Sequence, residues 1–288
     1  MPSKLHGFFL AGLITALSVS PGPPAAGPAA VELALEPGQE TTQVIRLGWL
    51  NGGANPRSKQ ISLTLRLRTL DRPAAGGGAW LEVTGTELKY SETGAKRSWP
   101  DYDSTSAEGP PPAHLPYEGT AFTALFGQTV QVAFDADGRP QELDGWEGAF
   151  ESMIASFRTM ETVSEDEVAR RRAGFPEYIL RSVFGILRPS LPGRPVGPGD
   201  SWSDRRDGEQ GSAELTYTVE KIDEEMLALE VQGAVRGQFS SGGAIRGTSE
   251  LERSSGWMIG ADLRLESRGS FTHTVRVLTQ TPWHSIER

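Results

Sequence analysis

Cysteine is missing altogether from this chain. Disulfides, thiolate nucleophiles and cysteine-ligated zinc or iron–sulfur centres are thereby excluded. Histidine is scarce, and His6, His114, His273 and His284 fall into neither an H-x-H nor an HExxH spacing, so no metal site is expected. Positive charge is also short: 28 Lys and Arg face 37 Asp and Glu, a formal net charge of −9. Nucleic-acid affinity draws mainly on Lys and Arg contacts to phosphates, so no nucleic-acid partner is expected. Walker and Rossmann glycine patterns are absent, which leaves no cofactor to expect. The apolar run at residues 8–19 stops short of the ~20 residues a spanning helix needs, so the chain is not expected to cross a membrane.

That run follows Lys4 and precedes a stretch of small residues and prolines. A positive start, a short apolar core and a small-residue exit are the pattern of an export leader, expected over residues 1–30. Export to the periplasm or beyond is the localisation this implies, and without cysteine a lipid anchor on that residue is not available.

The 34 glycines and 20 prolines fall between stretches of period-two alternation. Val31, Leu33 and Leu35, then Ile45, Leu47 and Trp49, then Ile61, Leu63, Leu65 and Leu67 each alternate with polar or small neighbours. Such spacing puts one side of an antiparallel strand in a core and the other in water. Further strands are expected at 79–84, 121–125, 129–134 and 141–143, with 99–118 as a long loop. Asp135, Asp137 and Gly138 suit a hairpin turn better than a calcium loop, which would need a further acid downstream.

From Asp144 the period changes. Trp146, Phe150, Met153, Ile154 and Phe157 recur at helical spacing, with Asp144 as expected N-cap. Ser164 and Glu167 form a capping box that opens a short helix through Arg172, whose Arg170–Arg172 run suits a solvated C-terminus. A further helix is expected from Pro176, with Phe175, Ile179, Val183, Ile186 and Leu187 as its apolar stripe. Pro189, Pro192, Pro195 and Pro198 then repeat at polyproline spacing and read as a semi-rigid spacer. Alternation resumes at Leu215, Tyr217 and Val219 and runs to Phe271, His273, Val275 and Val277, with turns spaced as in a β-meander.

The expected organisation is therefore a leader at 1–30, an N-terminal β half at 31–143, a helical segment at 144–188, a proline linker at 189–198 and a C-terminal β half at 199–288. The fold class is mainly β (α+β), two antiparallel curved-sheet halves around a central helical segment. The halves echo one another: residues 65–71 match 217–223, and Leu81-Glu82-Val83-Thr84-Gly85 matches Leu229-Glu230-Val231-Gln232-Gly233. Pseudo-duplication and shared strand alternation both account for this.

Gly199-Asp200-Ser201-Trp202 invites comparison with Gly-Asp-Ser-Leu hydrolases. Those place the serine near the mature N-terminus and pair it with a late Asp-x-x-His, whereas here the late Thr281-Pro282-Trp283-His284 lacks the aspartate. A serine without an oriented base is a weak nucleophile, so Trp202 is expected as a packing anchor and no catalytic residue is assigned.

Taken with the leader, the Pro37-Gly38 strand start and the central helices, that Gly-Asp-Ser-Trp stretch resembles the uncharacterised exported proteins of bacterial envelopes grouped as domain of unknown function 6263. The resemblance spans roughly residues 31–280 and implies no activity. More distantly, the layout is similar to curved-sheet envelope carriers of lipids or lipoproteins. A non-catalytic envelope protein is expected, binding an apolar ligand such as a lipid between sheets and helices. Its candidate ligand-binding residues are Trp146, Phe150, Met153, Phe157, Ile179 and Val183. The alternatives are a structural protein displaying the 99–118 loop or a sheet edge to an envelope partner and, remotely, a serine hydrolase at Ser201.

Overall fold

The computed structural model describes residues 30–52, 56–94, 101–107, 120–160, 163–185, 189–208, 211–237, 242–267 and 271–285. All but Ala30 of the expected leader, most of the 99–118 loop, His114, Ile186 and Leu187 lie outside these residues.

Among the described residues, twelve strands build one antiparallel sheet. In chain order they are β1 (Gln39–Asn51), β2 (Arg57–Pro73), β3 (Ala79–Gly94), β4 (Tyr102–Asp103), β5 (Thr129–Phe134), β6 (Pro140–Asp144), β7 (Ser201–Gly208), β8 (Gly211–Ile222), β9 (Met226–Gly237), β10 (Gly243–Glu252), β11 (Met258–Ser267) and β12 (Phe271–Ser285). The order across the sheet is β6-β5-β3-β2-β1-β12-β11-β10-β9-β8-β7, with β4 paired to β3. The two strand-rich halves thus meet edge to edge where β1 pairs with β12, from Gln39↔Ser285 to Asn51↔Phe271.

The free edges β6 and β7 do not pair, but the sheet curls until they approach. Arg139, before β6, reaches the buried Asp204 of β7 at 3.4 Å. Phe134 of β5 meets Trp257, between β10 and β11, edge-on at 5.7 Å. Residues 31–36 strap this end, Leu33 N donating to Ala136 O and Ala34 N to Ser255 O. The side-chain pattern fixes which face lies inside the curl: Leu63, Leu65 and Leu67 are at most 1% exposed while Arg66 and Arg68 face water. Each such leucine contributes about 1.5–3 kcal/mol on burial.

Three helices lie against the inner face: α1 (Thr120–Leu125), α2 (Glu147–Met160) and α3 (Glu165–Ile179), the last continued by a π-helical turn over Leu180–Gly185. Residues 121–125 form α1, not the expected strand. Ala121, Phe122, Ala124 and Leu125 are buried at i, i+1, i+3 and i+4, which suits a helix and no strand. Asp144 ends β6 and pairs with Arg72 at 2.9 Å, so it does not cap α2. Ser164 does cap α3, accepting from Glu167 N at 3.3 Å. The two helices expected around Arg172 and Pro176 are one helix that runs through Pro176, and the wider π turn follows it. Arg171 and Arg172 therefore sit mid-helix, over the rings of Phe157 and Phe150, and pair with Glu167 and Glu151.

The expected semi-rigid spacer is packed into the fold. Ser190, Leu191 and Val196 are buried, and Leu191 N donates to Asp137 O across the seam. Trp202 anchors its exit, stacked on Tyr217 at 5.5 Å with Nε1 donating to Ser190 O at 2.7 Å. The echoed segments fall on inner-facing stretches of β2–β3 and β8–β9, although the pairing differs by two residues: Leu67 opposes Val83, whereas Val219 opposes Leu229. Both echo glycines mark close approaches. A Cβ on Gly85 would stand 2.3 Å from Leu125 O, and one on Gly233 would stand 2.3 Å from Glu214 O.

Candidate functional site

Strand register divides the inner face into successive rings. One ring runs Leu88, Leu63, Ile45, Val277, Ala261, Ser249, Leu229 and Val219, and every member is at most 9% exposed. Two residues further toward the β1–β2 turn, Leu47 and Val275 are only partly buried. In the ring beyond, Lys59, Trp49, His273, Leu265, Ile245 and Gly233 stand side by side, all partly exposed. The apolar face therefore continues past the helices that cover it, from β1 across to β10.

Charge brackets this arc. On one flank Lys59 of β2 opposes Glu92 of β3, a buried carboxylate that pairs with Arg57 and accepts from Tyr90 Oη at 3.2 Å. On the other flank, past Gly233 and Leu215, the row ends at the buried Asp204. Gly233 lets β8 and β9 close up, since a Cβ there would lie 2.7 Å from Leu215 Cδ2. The result is a narrow, concave apolar surface with charged margins.

The residues expected to bind a ligand lie elsewhere. Phe150, Met153, Phe157, Ile179 and Val183 are buried in the helical layer, and Trp146 is partly buried against Phe150 and Phe175 at ring distances of 6.1 and 5.7 Å. Where Val183 and Phe184 meet Ile45, Leu65, Trp257 and Val277, the remaining void is about 20 Å³. A void of that size holds about one water. Helical periodicity found the faces that pack inward, but it carries no signal for whether a packed face leaves room. The partly exposed arc was visible in the sequence only as alternation at Leu47 and Trp49 and at His273 and Val275, on segments far apart in the chain.

Ser201 opens β7, exposed, and Asp200 beside it serves the turn. Asp200 accepts from Gly197 N at 2.9 Å and faces Arg194, and these contacts, the amide first, hold its carboxyl below the usual carboxylate range. The 135–138 turn is a hairpin: Gly138 N donates to Asp135 O and Arg139 N to Asp135 Oδ1. Among the described residues no group of three or more His, Asp or Glu could hold a metal, and no helix is long and apolar enough to cross a membrane.

No curated protein matches the chain. Among solved structures it is similar to an outer membrane channel from Pseudomonas putida F1, at 7% identity and a TM-score of 0.19, over 86% of this chain and 97% of that one. Residues 78–283 match a family of unknown function, DUF6263, and the chain belongs to that family.

Proposed function

We propose that this member of a family of unknown function is an exported, non-catalytic binding protein, and that it holds an apolar chain-like ligand, such as a lipid acyl chain, along the open arc of its curled sheet. The observation that carries this reading is the continuation of the apolar inner face beyond its helical cover. Trp49, Leu265 and Ile245 keep part of their surface in water, whereas the ring from Leu88 to Val219 on the same face is at most 9% exposed. Leaving such surface exposed costs about 25 cal/mol for each Å² that a ligand could cover. The concavity favours a slender occupant over a flat protein face, and the Lys59 margin suits a polar or anionic head at the end of an apolar tail.

The test is binding of a long-chain fatty acid, read by the fluorescence of Trp49 against a Trp49→Phe control. Saturable binding to the natural protein, weakened by roughly tenfold or more in Ile245→Glu with folding unchanged, is the expected result. No saturable binding, together with no lipid co-purifying from the source, would overturn the reading.

A further inference from the structure

The outer face of the curled sheet carries a depression beside β3 and β4. β4 and the turn after it rise beside Lys89 and Tyr90 and make a groove of about 510 Å³. Its polar lining includes Arg46, Gln60, Ser62, Lys89, Ser91 and Asp103. That volume is within the range of small-molecule sites.

Register shows an imbalance at its floor. Across five strands and β4 the outward positions read Asp103, Lys89, Ser62, Arg46, Arg276 and Asp262. Lys89 pairs with Asp103 at 3.0 Å, and Arg276 with Asp262 at 3.0 Å. Arg46 stands between these pairs with Arg276 directly opposite on one side and Ser62 on the other. Like charges placed opposite one another across strands are destabilising. Nothing in that row supplies a carboxylate for Arg46, although Arg46 borders a groove large enough for a ligand.

We propose that this groove binds a hydroxyl-rich small molecule bearing one carboxylate, of the sugar-acid class, with Arg46 receiving the carboxylate. A guanidinium offers two parallel N–H donors that match a carboxylate. Gln60, Ser62 and Ser91 line the groove and supply donors and acceptors for hydroxyls. Asp101 and Asp103 also line the groove and disfavour a dianion such as phosphate. Asp103 remains ionised because Thr105 and Lys89 hydrogen-bond its carboxylate. The site is on the opposite face from the apolar arc and stands independently of it.

Calorimetric titration at low ionic strength with D-glucuronate, D-glucose and inorganic phosphate tests this. Glucuronate is expected to bind saturably and more tightly than either comparator, and Arg46→Gln to weaken it by roughly tenfold or more. Relief of the Arg46–Arg276 repulsion should leave the thermal midpoint of Arg46→Gln unchanged or raised, which separates a lost contact from a damaged fold. Absence of saturable glucuronate binding, equal binding of glucose, tighter binding of phosphate, or undiminished binding by Arg46→Gln would each overturn the proposal.

Discussion

At the strapped end of the curled sheet, the inner face meets helices, linker and the 31–36 segment, and Leu227, Leu229 and Trp257 are at most 2% exposed. Toward the other end, Ile245 of β10, Leu265 of β11 and Val275 of β12 keep part of their surface in water. Strand composition does not differ much between the two ends. What differs is burial, because among the described residues the linker and the 31–36 segment pack at the strapped end. An identical alternation of apolar residues can therefore be core at one level and binding surface at the next.

Truncations should separate the ends most sharply. Phe134→Ala removes a ring held by both Phe184 and Trp257 and should cost about 3–5 kcal/mol in urea unfolding. Ile245→Ala should cost about 1 kcal/mol, because a partly exposed side chain loses less transfer energy and leaves no closed cavity. Equal costs would mean that the two ends are packed alike. Gly233→Ala, whose new Cβ meets Glu214 O, should destabilise by about 1–3 kcal/mol and flatten the arc, weakening fatty-acid binding as well. Trp202→Phe should lose about 1 kcal/mol, the worth of its hydrogen bond to Ser190 O at the seam, read as a shift in denaturation midpoint.

The smallest effect is electrostatic. Asp223, in the β8–β9 turn of the strapped end, has its carboxyl held below 3.8 by Lys221 first and then by the Met226 and Glu225 amides. A lowered folded pKa contributes stability that is complete above the unfolded value and lost as pH falls through the folded one. Asp103, on the far side of the molecule, is held at about 2 through Thr105, so its contribution should persist until pH nears that value. Acid titrations followed by NMR should show both carboxyls protonating below the usual aspartate range, Asp103 at about 2, and an ordinary midpoint for either would show that its hydrogen bonds do not form.

Much of the architecture was legible in local pattern. The period-two runs at 61–67 and 215–219 became strands with the expected faces inward, Ser164 capped a helix, Trp202 anchored a turn, and the 135–138 hairpin formed as its residues require. Four readings failed where local pattern is ambiguous. Residues 121–125 are too few for periodicity to decide, and Asp144 suits a strand end paired with Arg72 as well as a cap. Pro176 lies within a helix whose continuation is favoured by burial of Phe175 and Ile179. The prolines at 189–198 suggested a spacer, yet Leu191 and Val196 between them are core residues.

By itself the sequence determined that cysteine chemistry is unavailable, the mainly β class and the side of its clearly alternating strands that turns inward, because side-chain type and spacing act over a few residues. Only the tertiary structure decided that the two halves share one sheet through β1 and β12, that the aromatic helix faces are buried in the interior, and that an apolar arc is only partly buried. Those outcomes depend on contacts between segments more than 200 residues apart, such as Gln43 Nε2 donating to Met258 O at a separation of 215 positions along the chain. No local period encodes which surfaces will meet, or where the cover ends.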